Sequence, residues 1–234
     1  SKPDEADYVR SGLKRGLEIQ SNVGVNPYKY GMIGSTDAHT GMPAVEETNF
    51  GGKGQHDSSP ELRKNPTGLG SAKGWDMAAA GYAAVWATEN TRQGIVDAIK
   101  RKEVYATTGT RLRVRVFGGY DFSAEDLKRA DFAGYAYANG VPMGGDLKAA
   151  PAGKAPVLLV QALKDPDAAN LDRVQIIKGW LDADGKTHEQ VYDVAWSDGR
   201  KPGADGKLPP VGNTVNVAEA TYSNSIGAPV LTAS

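Results

Sequence analysis

Cysteine is absent from all 234 residues. That excludes disulfides, zinc–thiolate sites, iron–sulfur clusters and cysteine nucleophiles, and it leaves the redox compartment open. Histidine is scarce: His39, His56 and His188 are the only three, and none forms a His-x-His pair. No apolar run approaches the length of a membrane span, and no signal peptide opens the chain. An excess of one charge is also lacking. Lys+Arg at 27 against Asp+Glu at 28 leaves a net charge of −1, which argues against a global basic field for nucleic acid and against a polyacidic tail. There is no internal repeat and no heptad pattern. Gly52-Lys53-Gly54 lacks the Ser or Thr that a phosphate-binding loop places after Gly-Lys, and no Gly-x-Ser-x-Gly elbow occurs.

What is present is ordinary for a soluble globular protein: 40% hydrophobic and 24% charged residues, in a length that allows one large domain or two small ones. Glycine at 29 and proline at 13 mark a loop-rich chain. Val9, Leu13 and Leu17 fall four apart and predict an amphipathic helix over 4–20, with Gly12 and Gly16 allowing close packing against it. Asn26-Pro27 breaks the pattern, and Tyr28–Ser35 reads as a short buried strand centred on Met32 and Ile33. Residues 41–74 show no periodicity and read as a long loop, functional or disordered. Residues 76–87 read as buried. Asn90 or Thr91 caps a second helix with Ile95 and Ile99 on its inner face, and Val104–Thr107 is the next strand. From Arg111 the period becomes two, followed by strands over 157–162, 174–181 and 191–196. Asp182-Ala183-Asp184-Gly185 is a hairpin turn between the last two; its Gly comes too early for a calcium loop. The expected organisation is 1–110, alternating helix and strand, followed by a β-rich domain over 111–234.

The sharpest chemical feature is Asp37-Ala38-His39. At the end of a strand, residues two apart point to one side, so a carboxylate and an imidazole would project together. In alternating α/β folds active sites lie at that edge. The pair is a mixed oxygen–nitrogen donor set suited to zinc, manganese or iron, and a bound ion lowers the pKa of water to about 7. The plainer reading is an Asp capping the following turn beside a packed His.

The run NPYKYGMIGSTDAHTG resembles the final metal-binding motif of the PHP (polymerase and histidinol phosphatase) superfamily, and more closely a bacterial domain-of-unknown-function family within it, DUF3604. RSGLKRGLEIQSNVGVNPYKYG, AVWATENTRQGIVDAIKRKEVYATTGTR, GVPMGGDL, ALKDPDAANLDRVQIIKGW and VYDVAWSDGRK resemble the same family and extend the likeness over most of the chain. The resemblance implies the closing part of a distorted TIM-like barrel, followed by a strand-rich domain. It implies metal-dependent hydrolysis, chiefly of phosphoesters, with Asp37 and His39 as metal ligands. Complete members of the superfamily also carry a His-x-His motif and further His, Asp and Glu ligands. Their absence makes this chain read as the C-terminal portion of a longer protein, cut also at its far end, with Ser1 a processing or proteolysis boundary. Two ligands cannot hold an ion that usually takes about four. The expectation is therefore a divalent metal in the complete protein, weak or no binding in this chain alone, and the missing N-terminal part as partner. The resemblance also points toward export, periplasmic or extracellular.

Further candidates surround this motif. Lys53, His56 and Arg63 belong to a loop that reads either as a lid for an anionic substrate or as a solvated surface. Glu46 and Glu47 are close enough in sequence to add a carboxylate to the cleft, and Arg92 could clamp an anion there. Arg111, Arg113 and Arg115 share a strand face, but without interleaved aromatics they read as solvated or salt-bridged rather than as a nucleic-acid strip. A membrane partner is not expected. A second reading takes the β-rich half as a non-catalytic binding or structural module on a degenerate barrel, with Trp180 and Trp196 either stacking on carbohydrate or packed in the core.

Overall fold

The computed structural model describes residues 8–39, 41, 53–54, 59–63 and 81–234. The described chain is mixed α/β, with few helices and several antiparallel sheets, and no closed barrel forms among these residues. It divides into two compact units. One comprises the N-terminal helix with residues 114–142 and 146–234, and the other the described residues of 31–113 with 143–145.

In the first unit, helix α1 spans Val9–Val23 and stops where Gly24 turns left-handed at φ 81°, its N–H donating to Gln20 O. The expected helix began at residue 4; residues 1–7 lie outside the described chain. Gly12 and Gly16 do allow close packing: added Cβ atoms would meet the Tyr30 hydroxyl and the Asn26 amide. A four-stranded sheet runs in the order β4 (Val141–Pro142), β3 (Arg113–Gly119), β5 (Val157–Leu163) and β8 (Val230–Ala233). Helix α4, Phe132–Asn139, joins it, and Phe117, Phe122, Phe132, Ala136 and Leu159 form the buried core. Strands β6 (Arg173–Leu181) and β7 (Thr187–Trp196) form a separate antiparallel hairpin. Its turn is the expected one: Gly185 N–H donates to Asp182 O, and Asp182 N–H donates to Lys186 O.

The second unit holds the antiparallel pair β1 (Tyr82–Val85) and β2 (Val104–Thr107), the short helix α2 (Pro60–Arg63), and α3 (Arg92–Lys100). Thr91 is the cap of α3: its Oγ1 accepts the Gly94 N–H at 3.1 Å. The buried face carries Gly94 and Ala98, whereas Ile99 is 49% exposed, so the expected inner position for Ile99 is wrong. Small residues make the closest helix contact, and the bulkier Ile falls one position outside it.

One other expectation fails. Residues 28–35 form no strand, and Met32 and Ile33 are 45% and 58% exposed rather than buried. Of the arginines around β3, Arg111 and Arg113 are exposed, as the solvated-face reading expects, and Arg115 is half-buried. The Arg115 guanidinium lies 5.6 Å over the Phe117 ring and 5.4 Å over Tyr137, and Arg111 lies 5.8 Å over Tyr82. No helix among the described residues is long and apolar enough to cross a membrane.

Candidate metal-ligating turn

The backbone leading to Asp37 is fixed against β1 by glycines. Gly34 N–H donates to Tyr82 O at 3.1 Å, and Gly81 N–H donates to Ser35 O at 2.9 Å. A Cβ on Gly34 would lie 2.5 Å from Tyr82 O and 2.7 Å from Thr107 O, so no side chain fits between these main chains. Beyond this anchor the chain turns. Asp37 takes φ 56°, in the left-handed region that Asp tolerates better than most residues. Two hydroxyls hold the turn: Ser35 Oγ accepts from Asp37 N–H at 3.2 Å, and Thr36 Oγ1 accepts from Ala38 N–H at 3.1 Å. His39 N–H donates to Lys53 O at 2.6 Å. The two-residue alternation of a strand therefore does not apply here, and a hydroxyl-braced turn presents Asp37 and His39 instead.

Within that turn, His39 Nδ1 lies 2.7 Å from the Asp37 main-chain oxygen. A carbonyl can only accept, so this contact places the proton on Nδ1 and leaves the Nε2 lone pair as the donor. Metal-binding histidines are commonly oriented by this second hydrogen bond. The Asp37 side chain is 66% exposed, with Lys53 Nζ 3.7 Å from its Oδ2. The pair thus offers one carboxylate and one neutral imidazole nitrogen, which fits a borderline divalent ion. It supplies half of a usual four-ligand set. Among the described residues no group of three or more His, Asp or Glu side chains gathers as a metal cluster.

Glu46, Glu47 and His56 lie outside the described residues. Arg92 is the exposed first residue of α3, beside the Thr91 cap. Tyr105 donates its hydroxyl to Leu112 O at 3.0 Å, a packing role. Thr107 is 6% exposed, and its hydroxyl makes no hydrogen bond among the described residues. Sequence reasoning missed Ser35 and Thr36 as the braces of the turn. Their signal was the two consecutive hydroxyl residues two positions before Asp37 and Ala38.

In the other unit, His188 Nε2 sits 2.5 Å from Asp182 Oδ2, and its ring stacks on Trp180 at 5.3 Å between centroids. The His188 hydrogen bond, joined by the Lys186 and Asp184 amides, holds the Asp182 carboxyl below its ordinary value. Trp196 donates its indole N–H to Arg200 O at 2.7 Å and thereby fixes the loop after β7. Neither tryptophan belongs to the buried aromatic core.

The model of the family described as "Protein of unknown function (DUF3604)" matches residues 1–234. No curated protein and no solved structure matches the chain.

Proposed function

The chain belongs to the DUF3604 family, and from that premise we propose that it carries the metal-ligating turn of a PHP-type, metal-dependent hydrolase acting on phosphoesters. In this reading the second unit is part of a distorted TIM-like barrel. Asp37 and His39 are two of the ligands, and the remaining donors come from outside the described residues. The observation that carries the reading is the 2.7 Å contact from His39 Nδ1 to the Asp37 carbonyl, which commits one ring nitrogen to the backbone and leaves the other as a donor.

A divalent ion, when bound, supplies Lewis acidity toward a phosphoryl oxygen and lowers the pKa of water. The chain's own residues do the rest. Asp37 brings the negative charge that favours the ion, His39 fixes its direction through the braced ring, and Lys53 adds a cation 3.7 Å from the carboxylate for an anionic ester to meet. Two donors hold an ion loosely, so the 234-residue chain should retain no stoichiometric metal after dialysis and should not turn over substrate unaided.

Manganese titration of the isotope-labelled chain tests the assignment. Paramagnetic broadening should appear first around Asp37 and His39, and should vanish in Asp37→Asn and in His39→Gln. Broadening centred elsewhere, or unchanged in both variants, refutes it. Catalysis is tested with the product of the complete gene: unchanged phosphoesterase turnover in Asp37→Ala and His39→Ala removes these residues from the active site.

A further inference from the structure

A second candidate site, independent of the turn that carries Asp37 and His39, lies on the β6–β7 hairpin of the first unit. Successive side chains of a strand point to opposite faces, so the cross-strand pairs divide the hairpin in two. Ile177↔Val191 and Gly179↔Glu189 share one face, and helix α1 rests there, with Arg10 Nη1 2.6 Å and Lys14 Nζ 3.6 Å from the Glu189 carboxylate. Ile176↔Tyr192, Lys178↔Gln190 and Trp180↔His188 share the other. On that face Lys178, His188, Gln190 and Tyr192 are exposed, and Ile176 and Trp180 are half-buried.

Trp180 supports this face rather than forming its platform. Its ring stacks on His188 with 5.3 Å between centroids, and the Lys178 ammonium lies 5.0 Å from its centroid. Attraction to the indole quadrupole holds that flexible stem in place. Among the described residues no carboxylate pairs with Lys178. The carboxylates of the two strands are committed on the opposite face, Glu189 to Arg10 and Lys14, and Asp193 to the Gln175 amide at 2.8 Å. Asp182, at the turn, is bound to His188. Tyr192 is 45% exposed, and among the described residues its ring stacks on no other ring and its hydroxyl makes no hydrogen bond. It is the diagonal neighbour of Lys178 across the strand pair, at about 7–8 Å. The face thus offers one held cation and one open aromatic ring, with Gln190 next to both. Peptides on sheets take a strand edge or a groove, single-stranded nucleic acid takes a basic groove, and a lipid surface needs exposed aliphatic groups. This is a sheet face with one lysine, and its one aliphatic residue, Ile176, is half-buried. We propose that it binds an acidic saccharide, with a uronate carboxylate on Lys178 and the C–H face of a sugar ring on Tyr192.

Calorimetric titration of the 234-residue chain with hexagalacturonate tests this. Maltohexaose is the neutral saccharide control, hexaglutamate the acidic peptide control and hexathymidylate the nucleic-acid control. Hexagalacturonate should bind at least about tenfold tighter than each of them. Lys178→Gln and Tyr192→Ala should each weaken it by about tenfold or more, whereas Lys178→Arg, which keeps a cation beside the indole, should retain it within about twofold. Circular dichroism confirms that the variants fold. Shifts in the unsubstituted chain should centre on Lys178, Gln190 and Tyr192, which locates the site whatever the variants do. Failure of hexagalacturonate to bind, equal affinity for any of the three controls, unchanged affinity in both weakening variants, or shifts centred elsewhere overturns the proposal.

Discussion

Gly34→Ala should detach the turn that carries Asp37 and His39 from its support. The glycine has no left-handed backbone requirement, so the cost is steric. Its new methyl carbon would lie 2.5 Å from Tyr82 O, 2.7 Å from Thr107 O and 2.9 Å from Tyr82 N. Ordinary carbon–oxygen contacts begin near 3.3 Å, so the overlap is about 0.8 Å. Every one of these neighbours is main chain within or beside the β1–β2 pair, and none can rotate away as a flexible side chain does. Overpacking of this kind costs about 1–3 kcal/mol. Separation of the two chains would also lengthen the Gly34–Tyr82 and Gly81–Ser35 hydrogen bonds, each worth about 1 kcal/mol. A local loss of about 2–3 kcal/mol corresponds to roughly 30- to 160-fold faster amide exchange at Gly34 and Gly81. Hydrogen exchange followed by NMR measures this residue by residue, and the His39 ring resonances should shift in the same variant. Gly134→Ala is the matched control. That glycine lies in α4, and an alanine methyl there would meet nothing within 4 Å, so the substitution should stabilise by about 0.5–1 kcal/mol. If Gly34→Ala leaves both amides as slow as before, the close approach of the two backbones is not what positions the turn.

Three further outcomes follow from single interactions. Thr107→Val removes a buried hydroxyl that makes no hydrogen bond among the described residues and keeps the side-chain shape, so it should be neutral or stabilise by up to about 1 kcal/mol in urea unfolding; a destabilisation of more than about 1 kcal/mol would show that the hydroxyl has a partner. The Asp182 carboxyl is held below its ordinary value of 3.8, so the folded hairpin favours the ionised form. Its contribution is present above pH 4 and is lost as pH falls through the depressed value. The protection factor of the Lys186 amide, its exchange rate relative to the intrinsic rate at each pH, should therefore fall as the solution is acidified from pH 5 to 2, and Asp182→Asn should flatten that dependence. Phe117→Ala should cost about 3–5 kcal/mol in unfolding of the first unit, because the ring is fully buried and meets Phe132 and Tyr137 edge-on at 5.7 and 5.0 Å; a loss under 1 kcal/mol would mean that the core closes around the gap.

Local pattern revealed much of the fold. The stripe of Val9, Leu13 and Leu17 marked α1, and Val104–Thr107 is observed with the expected bounds. The Asp-Ala-Asp-Gly turn joined the two strands expected of it. Non-local facts were not legible. Apolar composition alone made Tyr28–Ser35 read as a buried strand. Its exposure depends on which other elements reach it, and that information does not reside in eight residues. Likewise, the helix stripe could not show that α1 would stand on Glu189. For the site, residue types indicated Asp37 and His39, but strand alternation suggested the wrong local geometry. The left-handed Asp37 and its two hydroxyl braces arise from chemistry at the turn, where hydrogen bonds from short side chains outweigh extended-strand preference.

The nitrogen resonances of the His39 ring, followed as zinc is added, test the central claim most directly. The account predicts a protonated Nδ1 throughout and an unprotonated Nε2 whose signal moves with zinc, together with the Asp37 carboxylate carbon. An Nε2 that carries the proton in the metal-free chain, or ring signals that zinc leaves unmoved, would contradict it.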